Sequence, residues 1–142
     1  MSPLFTILYA YRNRDPNRVR LSLLSLKKQK CINFDVVFVD YGSTLDYSEN
    51  IKKVVEVFEF ATYYYIGHKG LLWNKSKALN YGITKSKTDT IFIADVDVLV
   101  APSFSVVIES LINPNLFSLF KIGYLPESIT SDIIENTSFK DL

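Results

Sequence analysis

The chain has 142 residues, 48% apolar and 14% aromatic, with 16 basic against 15 acidic side chains and a formal charge of +1. A chain this apolar buries enough surface to offset its ordering entropy, which excludes intrinsic disorder and low-complexity arrays. The near-zero charge leaves no global field to draw in nucleic acid or an anionic membrane, and a single Cys with a single His excludes an intrachain disulfide and Cys/His zinc sites.

Residues 4–11 are rich in β-branched and aromatic side chains and predict a strand. Asp15-Pro16 follows as an N-cap with Pro at the first helical position, opening a helix to about residue 30 with Val19, Leu23 and Leu26 at helical spacing. Residues 34–39 form a nearly continuous apolar strand of the kind covered on both faces in a parallel sheet. It ends at the turn Asp40-Tyr41-Gly42-Ser43. A helix over 46–58, a strand over 60–66 and a break at 67–70 come next. A third helix is expected over 73–86, with Leu72, Ser76, Leu79 and Ile83 on one side. A fourth strand over 90–94 runs into Asp95-Val96-Asp97, a fourth helix follows Pro102, and a further strand is expected over 116–122. This alternation predicts one α/β domain over 1–142, with a doubly wound, mostly parallel, Rossmann-like sheet whose ligands sit at the carboxyl ends of the strands. No apolar run approaches the ~18–20 residues of a membrane span. The expected setting is cytoplasmic, at most peripheral to a membrane.

Charge is distributed unevenly. All four Arg lie between residues 12 and 20, and residues 60–88 carry Lys69, Lys75, Lys77, Lys85 and Lys87 without an acid. Asp95 and Asp97 end an apolar strand two residues apart, so in extended backbone both carboxylates face one point. Like charges that close are tolerated beside a cation, and their hard oxygens suit Mg²⁺ or Mn²⁺ holding a diphosphate; a solvated turn is the alternative reading. Asp40, at the end of the second strand, offers acceptors to a base or ribose, or starts an Asx-turn. In the loop after the first strand, Arg12 can meet a phosphate and Tyr11 can stack on a base. The helix start near Lys75 and Lys77, with Gly70 upstream, suits a diphosphate. The lone His68 reads as a loop residue.

Four segments in this order resemble the amino-terminal half of glycosyltransferase family 2 and related inverting enzymes of the GT-A fold. They are residues 5–13, residues 21–29 with their Ser-Leu repeat and closing Gln29, residues 37–44, and residues 77–83 followed by 91–97. The resemblance covers about residues 4–112 and implies a truncated GT-A fold, a nucleotide-sugar-binding core followed by an incomplete acceptor side or tail over 113–142. It implies that Ala10 and Arg12 line the nucleotide pocket and that Asp40 contacts the base. Asp95 and Asp97 would form the Asp-x-Asp motif, with Asp97 the direct metal ligand and Asp95 nearer the ribose, while Lys75, Lys77 and Asn80 approach the diphosphate.

Tyr41 stands where family members carry a second Asp. Residues 73–80 and Asp95-Val96-Asp97 also resemble the galactosyltransferase and chondroitin-polymerase branch. The implied activity is metal-dependent, inverting transfer from a nucleotide-diphosphate sugar, a UDP-sugar by preference, to a glycan or other hydroxyl acceptor. The alternative is a non-catalytic nucleotide-sugar-binding fragment or half of a split transferase. Glu127, Asp132 and Glu135 are acids in the direction of the family's general base, or a polar tail. Apolar surface left uncovered by an incomplete acceptor side would favour a homodimer.

Overall fold

The computed structural model describes residues 2–67, 70 and 72–137, so the expectations for His68 and Lys69 lie outside the described residues. The elements are β1 (Phe5–Tyr11), α1 (Pro16–Lys27), β2 (Phe34–Tyr41), α2 (Leu45–Glu56), β3 (Ala61–Ile66), α3 (Lys75–Lys85), β4 (Ile91–Ala94), α4 (Phe104–Leu111) and α5 (Glu127–Asn136). Two compact units divide them, Met1–Ile112 and Asn113–Leu142.

In the first unit the strands form one parallel sheet of order β3-β2-β1-β4. The chain steps outward from β1 to β2 to β3, then returns across to the far side of β1. Because crossovers between parallel strands are right-handed, this reversal puts α1 and α2 on one face and α3 on the other. Strand parity sorts the side chains accordingly. Phe5, Ile7, Tyr9 and Tyr11 of β1 and Phe34, Val36 and Phe38 of β2 pack with Val19, Leu23, Leu26, Ile51, Val55 and Ile108. Leu8, Ala10, Val37, Val39 and Tyr41 pack beneath Ala78 of α3 on the opposite face. The sheet is thus a doubly wound, Rossmann-like layer with its switch point between β1 and β4, where the crevice at the strand ends receives ligands.

The buried side of α3 differs from the expected one. Ala78 and Gly82 face the sheet and Leu79, half-buried, packs against the same cluster as expected, while Leu72, Ser76 and Ile83 are exposed. Small side chains let the helix approach closely: a Cβ at Gly82 would sit 3.2 Å from Val39 Cγ2 and 3.3 Å from Leu8 Cδ2. An apolar stripe of large residues would hold the helix farther out.

In the second unit the strand expected over 116–122 is not formed; residues 112–126 carry neither helix nor strand, and Leu116, Phe117 and Leu119 are exposed. An apolar run becomes a strand only when a neighbour takes up its N–H and C=O groups, and the described residues of this unit contain no other extended element. Glu127, Asp132 and Glu135 all lie on α5, where Asn136 Nδ2 donates to Asp132 Oδ1 over 2.7 Å.

Candidate functional site

The carboxyl ends of β1 and β2 are stitched into one rim. Tyr11 and Asp40 are paired in the register, so the loops after them leave the sheet side by side. Asn13 takes a left-handed backbone (φ 48°), which asparagine tolerates better than most residues, and Gly42 does the same at φ 75°. With the chain so turned, the Asn13 N–H donates to Ser43 Oγ (3.0 Å) and the Thr44 N–H donates to Asn13 Oδ1 (2.9 Å). Tyr65 of β3 adds a third tie, its hydroxyl donating to the Ser43 carbonyl over 3.3 Å.

Asp40 lies under this rim, fully buried. Its Oδ1 accepts from the Ser43 N–H (3.1 Å) and its Oδ2 from the Tyr63 hydroxyl (2.8 Å). Even-numbered positions of β2 face α1 and α2, so Asp40 follows Phe38 inward while Tyr41 turns to the α3 face. The carboxyl thus serves the turn from within, which is the Asx-turn reading of this residue. Burial raises its pKa above the ordinary value, an effect partly offset by the Ser43 and Tyr63 hydrogen bonds and by the charge of Arg12. A carboxyl with a raised folded pKa keeps its proton to higher pH than the unfolded chain does. Its contribution to stability is therefore complete below the ordinary aspartate value and is lost as pH rises through the raised one. Asp40→Asn removes that component. Urea denaturation at pH 7 and at about pH 4, near the ordinary aspartate value, is expected to show the parent gaining stability relative to the variant at the lower pH.

Tyr11, expected to stack on a base, is instead a core residue with no exposed surface, and its hydroxyl donates to the Arg14 carbonyl over 2.6 Å. It shares strand parity with Phe5, Ile7 and Tyr9, which sends its ring toward Phe38. Ala10 is buried on the α3 face and Arg12 is half-buried at the rim. Two exposed aromatics stand here, Tyr65 and Trp73; Trp73, 43% accessible, has its ring edge-to-face on Tyr41 at 5.9 Å between centroids. The signal for Trp73 in the sequence is that the only Trp directly precedes the acid-free Asn-Lys-Ser-Lys segment.

At the other side of the switch point β4 ends at Ala94, and Asp95 to Val98 form a turn closed by the Val98 N–H on the Asp95 carbonyl (3.3 Å). The two carboxylates therefore stand on a turn, not on the extended backbone expected from their spacing. Val96 is buried between them and anchors the turn, leaving Asp95 and Asp97 exposed. Asp95 Oδ1 meets Lys75 Nζ at 2.5 Å. Asp97 lies close enough to Tyr9 for its charge to help raise that phenol to about pKa 12, burial being the larger cause. Lys75 and Lys77 open α3, where Asn74 Oδ1 caps the Lys77 N–H at 2.9 Å; both lysines and Asn80 are exposed.

The turn is held from behind by α1. Ser22 Oγ donates to the Val98 carbonyl (2.7 Å), leaving the Tyr9 hydroxyl to donate to Ser22 (2.6 Å), and Ser25 Oγ accepts from the Val100 N–H (3.2 Å). Gln29 Nε2 donates to the Ala101 carbonyl (2.8 Å) and its Oε1 accepts from the Ser105 N–H (2.9 Å). The Ser-Leu repeat and closing Gln of the sequence thus form the polar edge that fixes the chain after Asp97, a role the sequence reading missed.

A parallel, doubly wound sheet with acids and a lysine-bearing helix start near its switch point, and a stitched rim beside them, is an α/β architecture whose ligand crevice lies at the strand ends. The chain belongs to glycosyl transferase family 2, whose family model matches residues 6–124. Two solved structures share its fold. One is the mannosyltransferase PcManGT from Pyrobaculum calidifontis in complex with GDP-Man and Mn²⁺ (TM-score 0.65, 20% identity, 82% of this chain and 34% of that one). The other is S. aureus TarS, residues 1–349 (TM-score 0.62, 18% identity, 75% of this chain and 31% of that one). The chain spans about a third of the length of these two proteins. No curated protein matches it.

Proposed function

We propose that the chain binds a nucleotide-diphosphate sugar together with Mg²⁺ or Mn²⁺ and passes the sugar, with inversion, to the hydroxyl of a glycan or similar acceptor. The observation that carries this reading is the placement of Asp95, Asp97 and Lys75 at the switch point of a glycosyl transferase family 2 sheet. Two exposed carboxylates on one turn are hard donors, and no group of three or more His, Cys, Asp or Glu able to hold a metal occurs among the described residues. Such a half-set fits a cation that keeps waters and completes its shell with diphosphate oxygens. When bound, the cation supplies charge neutralisation of the departing diphosphate.

The chain's own residues do the rest. Asp95 and Asp97 hold the cation, Lys75, Lys77 and Asn80 approach the diphosphate, and Ala10 and Arg12 line the nucleotide side. Asp40 positions the rim from beneath, and Trp73 on Tyr41 offers a stacking face to the base or sugar. The base end at β2 and the metal end at β4 are separated by β1, two strand spacings or about 10 Å, a span suited to a nucleoside diphosphate. A UDP-sugar donor and the galactosyltransferase and chondroitin-polymerase branch are the finer reading, resting on residues 73–80. PcManGT was solved with GDP-Man, so both bases belong in the test. An acceptor-side base is proposed among Glu127, Asp132 and Glu135. The accompanying homodimer would re-bury Leu116, Phe117 and Leu119. No helix among the described residues is long and apolar enough to cross a membrane; a cytoplasmic or peripheral location is part of the proposed reading.

Calorimetric titration with UDP and GDP, with and without Mn²⁺, tests the reading. Binding of at least one nucleotide that requires Mn²⁺, accompanied by quenching of Trp73 emission, is expected; no binding of either in the presence of Mn²⁺ overturns it. The second reading is donor binding without transfer. A donor hydrolysis assay separates the two.

A further inference from the structure

The ion pair between Lys75 and Asp95 has a consequence for how the site fills. Lys75 is the first residue of α3 and Asp95 the first residue past β4, two residues 20 positions apart in the chain. Nζ sits 2.5 Å from Oδ1, and both side chains are about half exposed, 44% and 56%. A divalent cation on the same carboxylate would bind at about 2.0–2.1 Å. Two cations on one solvated carboxylate repel, so the ammonium and the metal compete for it. A nucleoside diphosphate brings new anionic oxygens to the place an ammonium displaced from Asp95 can reach.

We propose that Lys75 is the resident counter-ion of Asp95 and exchanges that carboxylate for the donor's diphosphate as the divalent cation arrives. This rests on the function proposed above and adds an order to it. Metal alone must displace an internal cation and binds weakly. Metal with diphosphate releases Lys75 to a new partner and binds well. Lys75 thereby couples the two ligands and keeps the carboxylate pair neutralised between turnovers. Lys77, in the same helical turn, carries equal charge and is in neither of the ion pairs among the described residues, so it separates a specific exchange from a general field.

The test is Mn²⁺ binding to the full chain, read from the free-ion EPR signal with and without UDP or GDP, for the parent, Lys75→Met and Lys77→Met. Without nucleotide, Lys75→Met is expected to bind Mn²⁺ about two- to fivefold more tightly than the parent, the range of an exposed ion pair, and Lys77→Met to change less. With nucleotide, the tightening of Mn²⁺ binding that the parent shows is expected to shrink in Lys75→Met. If the parent binds Mn²⁺ with nucleotide but Lys75→Met binds Mn²⁺ alone no more tightly, or Lys77→Met tightens it equally, the exchange is overturned while the proposed function stands. If the parent takes up neither Mn²⁺ nor nucleotide, both fall.

Discussion

Replacing Asp95 and Asp97 together with alanine is expected to abolish Mn²⁺-dependent binding of UDP or GDP while leaving the fold intact. Loss of an outer-shell partner alone costs a metal site about 10–100-fold in affinity, so removal of both proposed ligands is expected to cost more than about 100-fold. Both side chains are exposed, and the anchor of their turn is Val96, which the double variant keeps. The Lys75 pair that disappears is solvated and contributes little to stability. Urea denaturation is therefore expected to place the variant within about 0.5 kcal/mol of the parent. Unchanged nucleotide affinity in the presence of Mn²⁺ would sink the assignment of these two residues.

The largest stability effect is expected at Gln29. This side chain, 8% exposed, bonds the Ser25 and Ala101 carbonyls and the Ser105 N–H, tying the end of α1 to the start of α4. Truncation to alanine takes this partner from two carbonyls and one N–H; stranding one donor and one acceptor, each at about 1–3 kcal/mol, costs a total of about 2–6 kcal/mol. The denaturant midpoint is expected to fall with little change in slope. Nucleotide affinity with Mn²⁺ is expected to fall by less than about tenfold, well under the loss of an outer-shell partner's upper range, since Ser22 and Ser25 still hold the chain at Val98 and Val100. A Gln29→Ala protein as stable as the parent would show that the clasp contributes nothing.

The alternation of strands and helices through residue 111 was legible because each element carries its own periodicity and stop signal. Asp15 caps α1, its side chain accepting from the Asn17 N–H, with Pro16 at the first helical position. The apolar run of β2 is buried on both faces. What failed was tertiary. Tyr11 and Asp40 look like site residues because they end strands, yet parity turns both into the α1–α2 layer; counting alternate positions from Phe5 and Phe34 would have shown it. The buried side of α3 was misjudged because close approach to a sheet selects Ala78 and Gly82 over larger residues. Residues 116–122 have the composition of a strand, but composition cannot supply the partner that a ladder requires. Asp95 and Asp97 stand out in the sequence by their position after an apolar strand, whereas their turn and the lysine partner of Asp95 depend on where α3 begins.

The hydrogen bonds between Asn13, Ser43 and Thr44 bear on the thermodynamics of ligand capture. Two loops that would otherwise each search their own conformations are held as one, so their freedom is lost once, on folding, and would not be lost again on arrival of the proposed nucleotide. Binding of that ligand would then meet a preformed socket, with little ordering of the protein to oppose it. The same stitch makes the two loops a single mutational unit: a change of length in either shifts Asn13 against Ser43 and unfastens both.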